Sequence, residues 1–146
     1  MHVLYKQSSV STELAMKIVQ ASIARAEESG LKVNAAVVDT GGNLMAFLRS
    51  NGAFLHSIEI AIDKAYTAAG FGFATSEWAG ALTTGSMLRE GILHRPRLVT
   101  FGGGLPLKFN GELIGGVGVS GGSEDEDEDC AKAGLDMLTA SENIEK

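Results

Sequence analysis

The sequence is poor in cysteine, proline and aromatic residues: it has 1 Cys, 2 Pro and only 6% Phe, Trp and Tyr among 146 residues. Because Cys130 has no partner in the chain, neither an internal disulfide nor a thiolate zinc site is expected. Scarce aromatic rings disfavour a stacking surface for single-stranded nucleic acid. This cysteine usage is typical of an intracellular protein, and we expect a cytoplasmic one.

The sequence also lacks excess positive charge and long apolar runs. Lys and Arg number 12 against 18 Asp and Glu, so the net charge is −6, which is the wrong sign for binding a phosphate backbone. No apolar stretch approaches the roughly eighteen residues of a membrane span. Residues 1–10 lack the apolar centre of a cleaved signal. We therefore expect neither a nucleic-acid partner nor a membrane.

Glycine, in contrast, is abundant, with 19 residues in the chain, nearly twice the usual share of about 7%. Hydrophobic residues make up 45% and charged residues 21%, as in globular proteins. The length suits a single domain over residues 1–146. The composition predicts a packed domain in which backbones approach one another closely.

Three amphipathic helices are predicted. The first spans residues 12–29, and the second, whose inward side is mostly alanine, covers the region 58–69. A third opens at the capping box formed by Ser123 and Glu126. Residues 70–97 give weak signals and are expected to be rich in loops, with short helical turns.

Five strands are predicted from apolar runs and turn signals. Residues 33–38 and 44–48 flank a turn and predict a hairpin, and residues 105–109 and 112–119 flank an Asn-Gly turn and predict another. Residues 97–101 predict a fifth strand. The order of elements predicts an α+β fold, with a five-stranded antiparallel sheet and helices on its faces.

Two glycine motifs suggest nucleotide or acyl chemistry, and their context opposes both. Residues 116–121 match the dinucleotide fingerprint, but six consecutive carboxylates, residues 124–129, fill the helix start that would hold the pyrophosphate. Residues 118–122 match a nucleophile elbow, but no histidine follows them, since the last is His94. The simpler interpretation is that small residues let this strand lie under a helix.

Histidine and acidic residues offer a few candidate ligands. His2, His56 and His94 share no metal-ligand spacing, so a zinc site is not expected. His56 lies where a loop with apolar residues enters the alanine-faced helix, so it could reach a haem iron or simply start that helix. Asp127 falls on the inward stripe of the last helix. Its carboxylate could bind a backbone amide or a basic partner, or it could help to hold iron. We favour the structural hydrogen-bonding role over the ligand role.

A bend is predicted at the end of the third strand in chain order, residues 97–101. It consists of Phe101, Gly102, Gly103 and Gly104. Three successive glycines there would expose a row of backbone N–H groups. A carboxylate or a haem propionate could bind to that row. An irregular β-bulge is the equal alternative.

Four motifs, read in order, resemble one known family. They are Val38-Asp39-x-Gly41-Gly42, Lys64-Ala65-Tyr66-Thr67-Ala68, Phe101-Gly102-Gly103-Gly104-x-Pro106 and Gly115-x-x-Gly118-Val119-Ser120-Gly121-Gly122, followed by an acidic stretch with Asp127. Together they resemble the GlcG/HbpS family over about residues 10–140.

The resemblance implies a profilin-like layered fold and a homo-oligomer that is often an octamer. For several members it implies binding of haem or a related tetrapyrrole, with haem degradation proposed. The family includes the C-terminal domain of PduO adenosyltransferases and small proteins found with glycolate and with diol or glycerol metabolism. The nearest candidate for a haem ligand in this sequence is His56.

Three functions follow as hypotheses. The first is non-covalent binding of haem or a corrinoid by a cytoplasmic homo-oligomer. The second is a non-catalytic assembly or accessory protein for a cobalamin-dependent diol dehydratase. The third is an enzyme acting on a small acid, with the glycine bend as its anion site. It ranks last because no nucleophile and base stand at a workable spacing, so no catalytic residue is predicted.

Overall fold

The computed structural model describes the backbone of residues 1–145 and the side chains of residues 1–142. Its elements in chain order are α1 (Thr12–Glu28), β1 (Asn34–Asp39), β2 (Leu44–Arg49), α2 (His56–Phe71), a 3-10 turn (Thr75–Glu77), α3 (Trp78–Ala81), α4 (Met87–Ile92), β3 (Gly104–Phe109), β4 (Glu112–Ser120) and α5 (Glu124–Glu145). Within the described residues, no helix is both long enough and apolar enough to cross a membrane.

The long outer helices start at side-chain caps that the sequence carries. At the start of α1, the Ser11 hydroxyl accepts a hydrogen bond from the Leu14 amide at 3.1 Å. At the start of α5, the Glu126 amide donates to the Ser123 hydroxyl at 3.2 Å, and the Ser123 amide donates to the Glu126 carboxylate at 2.9 Å. Because the two residues satisfy each other's exposed amides, the predicted capping box is confirmed.

The sheet is antiparallel and has the strand order β2-β1-β4-β3. Both predicted hairpins are present. The β3–β4 hairpin turns at Asn110 and Gly111, whose φ angles are +49° and +79°. These positive angles are the ones that a two-residue hairpin turn matched to the strand twist requires.

The fifth predicted strand, residues 97–101, is wrong, and the sheet has four strands. The backbone of this segment is bonded to a helix side chain instead of a neighbouring strand. The Val99 amide donates to the Thr67 hydroxyl at 3.0 Å, and that hydroxyl donates to the Arg97 carbonyl at 2.9 Å. Arg97 also has φ +63°, which lies outside the extended region. The predicted α+β class is confirmed.

Helices cover both faces of the sheet. Alternate residues of β1 point to opposite sides: Ala35 and Val37 belong to a large apolar core with α1 and α5. Ala36 and Val38 belong to a smaller core with the alanine side of α2. The sheet is therefore the middle of three layers, and its α2 side is packed with very small side chains.

The helix α2 lies directly on the backbone of β4, as the alanine face predicts. A Cβ added to Gly118 would collide with the Ala61 carbonyl oxygen and lie 2.5 Å from the Ala65 amide nitrogen. A Cβ added to Gly116 would collide with the Ala65 carbonyl oxygen and lie 2.9 Å from the Ala69 amide nitrogen. The Gly-x-Gly motif of this strand therefore serves close helix packing.

We expect Gly118→Ala to destabilise the fold by about 3 kcal/mol or more, because its new methyl group meets helix backbone that cannot rotate away. The control is Gly70→Ala in α2, where an added Cβ meets nothing within 4 Å. Gly70→Ala should instead raise stability by about 0.5–1 kcal/mol. Urea denaturation measures both, and equal effects of the two variants would contradict the close contact.

Candidate functional site

A buried ion pair joins α2 to α5. Lys64 is 1% exposed and Asp127 is 3% exposed. The Lys64 ammonium nitrogen (Nζ) lies 3.0 Å from one oxygen of the Asp127 carboxylate (Oδ2). The bend between the last loop and β3 passes beside it, and a Cβ on Gly103 would lie 2.5 Å from that nitrogen. Glycine at this position therefore makes room for the lysine.

Further hydrogen bonds satisfy most of the remaining polar capacity of the pair. Lys64 Nζ also donates to the Val119 carbonyl at 2.8 Å, and the Gly122 amide donates to the second Asp127 oxygen (Oδ1) at 2.8 Å. The Phe101 ring centroid lies 5.2 Å from Lys64 Nζ, within the range of a cation–π contact. Such additional bonds are what allow a charge pair to remain stable away from water.

Burial acts on the two groups in opposite directions. It raises the pKa of the Asp127 carboxyl, while the Lys64 charge and the Gly122 amide oppose that rise. It lowers the pKa of the Lys64 ammonium, and the Asp127 charge opposes that fall. Each charge opposes the desolvation of the other, so removing either residue would leave an uncompensated charge in a buried position.

The prediction that Asp127 faces inward is confirmed, and its partners are both a backbone amide and a basic residue. Lys64 is the partner of Asp127 that the sequence patterns did not predict. The available signal was its place between Ala61 and Ala65, at the edge of the alanine stripe. A charged residue on a buried stripe needs an opposite charge, and Asp127 supplies it.

The structure does not leave the glycine bend with a free row of N–H groups. The Gly102 amide donates to the Glu124 carboxylate at 2.8 Å, and the Gly104 amide donates to the Thr75 hydroxyl at 2.9 Å. Side chains of this chain thus occupy two of the three N–H groups expected to bind a carboxylate or propionate. The expectation was built on a strand before the bend, and that strand is absent.

His56 is separate from the buried pair. It is the first residue of α2 and is exposed, next to Phe54 and Leu55, which are 68% and 69% exposed. An open hollow of about 320 Å³ is lined by His56 together with Leu55, Ile58 and Glu59. None of Phe101, the three bend glycines or Asp127 lines this hollow. The site residues predicted from the sequence therefore lie in two separate regions, with His56 in one and the glycine bend and Asp127 in the other.

The described residues contain no group of three or more His, Cys, Asp or Glu side chains placed to hold a metal ion. Both oxygens of Asp127 are already bonded within the protein. His56, in contrast, is exposed at the first residue of α2.

These features define a class of small α+β domain, in which a four-stranded antiparallel sheet lies between helices and a buried lysine–aspartate pair joins two of them. Residues 10–136 match the family described as haem degrading protein HbpS-like. The chain belongs to this family, which confirms the resemblance seen in the sequence motifs.

Relatives cover most of the chain. It is 39% identical over 133 residues to a 15.0 kDa protein from the dhaT-dhaS intergenic region of Citrobacter freundii, covering 90% of this chain and 94% of that protein. It is 37% identical over 128 residues to the corrinoid adenosyltransferase PduO of Citrobacter freundii, covering 87% of this chain and 38% of that protein. The crystal structure of a PduOC:haem complex superposes with a TM-score of 0.81 at 34% identity, covering 89% of this chain and 95% of that one.

We expect Lys64→Met to cost about 3–5 kcal/mol of stability, because it leaves the Asp127 carboxylate buried without its counter-charge. The double variant Lys64→Met/Asp127→Asn removes both charges and should recover part of that loss. Urea denaturation measures each variant. Lys17→Met, which breaks an exposed pair with Glu13, should change stability by less than about 1 kcal/mol. A double variant less stable than Lys64→Met would contradict the coupling.

Cys130 should be chemically inert in the folded protein. Burial, with smaller contributions from Asp129 and Asp127, raises the pKa of its thiol to about 11. At about pH 8 the thiol is therefore protonated, and the thiolate is the reactive form. We expect no reaction with Ellman's reagent in the native state and complete reaction after denaturation in guanidinium. Rapid labelling of the native protein would show that the region around α5 opens.

Proposed function

We propose that this chain binds haem or a related tetrapyrrole non-covalently, as a profilin-like layered domain within a homo-oligomer. The observation that carries the proposal is the haem complex of a structure with the same fold over nearly the whole chain. Membership of a family named for haem degradation supports the same ligand class.

His56 is the proposed axial ligand. Its imidazole is exposed, and no hydrogen bond to another described residue engages the ring. The exposed side chains of Phe54 and Leu55 lie next to it in the chain and offer apolar surface to a flat macrocycle. Haem would supply an iron centre that takes a neutral imidazole as a ligand. The chain itself would contribute the imidazole and the apolar floor.

A second copy of the chain would complete the site. The hollow beside His56, at about 320 Å³, is at the lower end of small-molecule sites, which span roughly 300–1,000 Å³. It is open on its outer side, so one subunit covers only part of a haem. Exposed Phe54 and Leu55 suit a subunit contact. We propose an octamer, as the family resemblance implies, in which the ring of Phe101 is a further apolar contact.

A corrinoid is the second candidate ligand, and its support is the similarity to the corrinoid adenosyltransferase PduO. Because this chain spans 38% of that protein, adenosyl transfer is not part of the proposal. With a corrinoid as its ligand, the chain would act as an accessory protein for a cobalamin-dependent dehydratase. This role would belong to diol, glycerol or glycolate metabolism in the cytoplasm. The hypothesis of a small-acid enzyme loses support, since Gly102 and Gly104 already donate to internal acceptors.

Titration of haemin into the purified full chain should give a saturable shift of the Soret band. His56→Ala should change the spectrum and weaken binding by about tenfold or more, because the axial bond is lost. The matched control is His94→Ala, which removes another exposed histidine and should leave spectrum and affinity unchanged. A parallel titration with hydroxocobalamin separates the two ligand candidates.

Each outcome of this titration decides one part of the proposal. Absence of any spectral change with haemin would exclude haem binding. A saturable shift that His56→Ala leaves unaltered would exclude His56 as the ligand while keeping the ligand class. Light scattering with and without haemin measures the subunit number, and a monomer that binds haemin with full affinity would contradict the shared site.

A further inference from the structure

A second recess lies between α2 and the segment that connects α4 to β3. Its volume is about 200 Å³. Most of its wall is apolar, and two arginines stand at it, while no carboxylate lines it. The lining residues that matter here are Tyr66, Phe71, Ile92, Leu98, Arg95 and Arg97. No acidic side chain lines this apolar recess, although Asp63 pairs with Arg97 beside it.

Arg97 is held in place by its surroundings. Its φ of +63° is a left-handed conformation that non-glycine residues rarely adopt. Its carbonyl accepts from the Thr67 hydroxyl at 2.9 Å, and its Nε donates to Asp63 at 3.0 Å. Its guanidinium carbon lies 3.6 Å from the centroid of the Tyr66 ring. Residues whose strained backbone is maintained by surrounding contacts cluster at active sites and ligand-binding sites.

The two arginines retain unused donors. Arg97 uses only Nε in its bond to Asp63, so its two terminal nitrogens have no acceptor among the described residues. The Arg95 side chain makes neither a hydrogen bond nor an ion pair within the described part of the chain. A guanidinium presents parallel N–H groups that match the two oxygens of a carboxylate. The free guanidinium donors at the rim of this recess therefore suit an anion with two oxygens.

We propose that this recess binds a small carboxylic acid with an aromatic or branched apolar body. The carboxylate would pair with Arg95 and the free end of Arg97, and the apolar body would lie against Phe71 and Ile92. Since a water occupies about 30 Å³ of liquid, a 200 Å³ recess holds the volume of several waters, enough for one ring. Different residues line the hollow at His56, so the two proposed sites do not share a residue.

The probe is 4-fluorobenzoate, followed by fluorine NMR and calorimetry with the full chain. The neutral analogue 4-fluorobenzyl alcohol has the same ring without the charge. We expect saturable binding of the acid, at least about tenfold tighter than the alcohol, because charge-assisted hydrogen bonds are lost in the analogue. Mixed solutions with haemin test whether the two ligands compete.

Three arginine variants locate the site. Arg95→Gln should weaken the acid by about tenfold or more while leaving the melting temperature unchanged, since this side chain is exposed and unbonded. Arg97→Lys keeps the charge but loses the planar fork, and it should also weaken binding. The matched control is Arg89→Gln, on α4 but lining a different hollow, which should bind normally.

Three results would overturn the proposal. One is equal affinity for the acid and the alcohol, and another is full affinity in Arg95→Gln. The third is displacement of 4-fluorobenzoate by haemin, which would assign the arginines to the propionates of a tetrapyrrole. Failure of haemin binding with retained acid binding would count against the proposed function alone.

Discussion

The contact of α2 with the bare backbone of β4 constrains everything around it. Gly116 and Gly118 present no side chains to the helix, and alanines face them from the other side. At this separation the helix backbone meets strand backbone, so the helix can neither rotate nor slide without collision. Its position brings Lys64 to the end of the sheet, where α5 begins. The ion pair with Asp127 is a consequence of that approach.

The same helix contributes to the buried pair and to both proposed sites. Its first residue is His56, its middle carries the buried Lys64, and its last turns supply Tyr66 and Phe71 to the arginine recess. The buried pair joins two helices, and both oxygens of Asp127 are already bonded within the protein. Both proposed ligand sites lie at the ends of α2 instead, one beside His56 and one beside Arg97.

Local signals predicted much of this structure. The Asn-Gly hairpin, the capping box at Ser123 and the inward side of Asp127 each depend on residues within a few positions of one another, and all are present. The failures came from distant partners. Residues 97–101 are apolar enough for a strand, but Thr67 of α2 takes their hydrogen bonds. The bend glycines looked unbonded because Glu124 and Thr75 are far away in sequence.

The amino-acid sequence by itself determined the α+β class, the helix starts, the two hairpins and the small-residue faces, because these follow from side-chain periodicity and from the backbone freedom of glycine. Only the tertiary structure decided that the sheet has four strands, that Lys64 pairs with Asp127, and that Arg95 and Arg97 border one recess. Those outcomes depend on which groups meet across long chain separations, and a buried polar group accepts whichever partner the packing brings within hydrogen-bond distance.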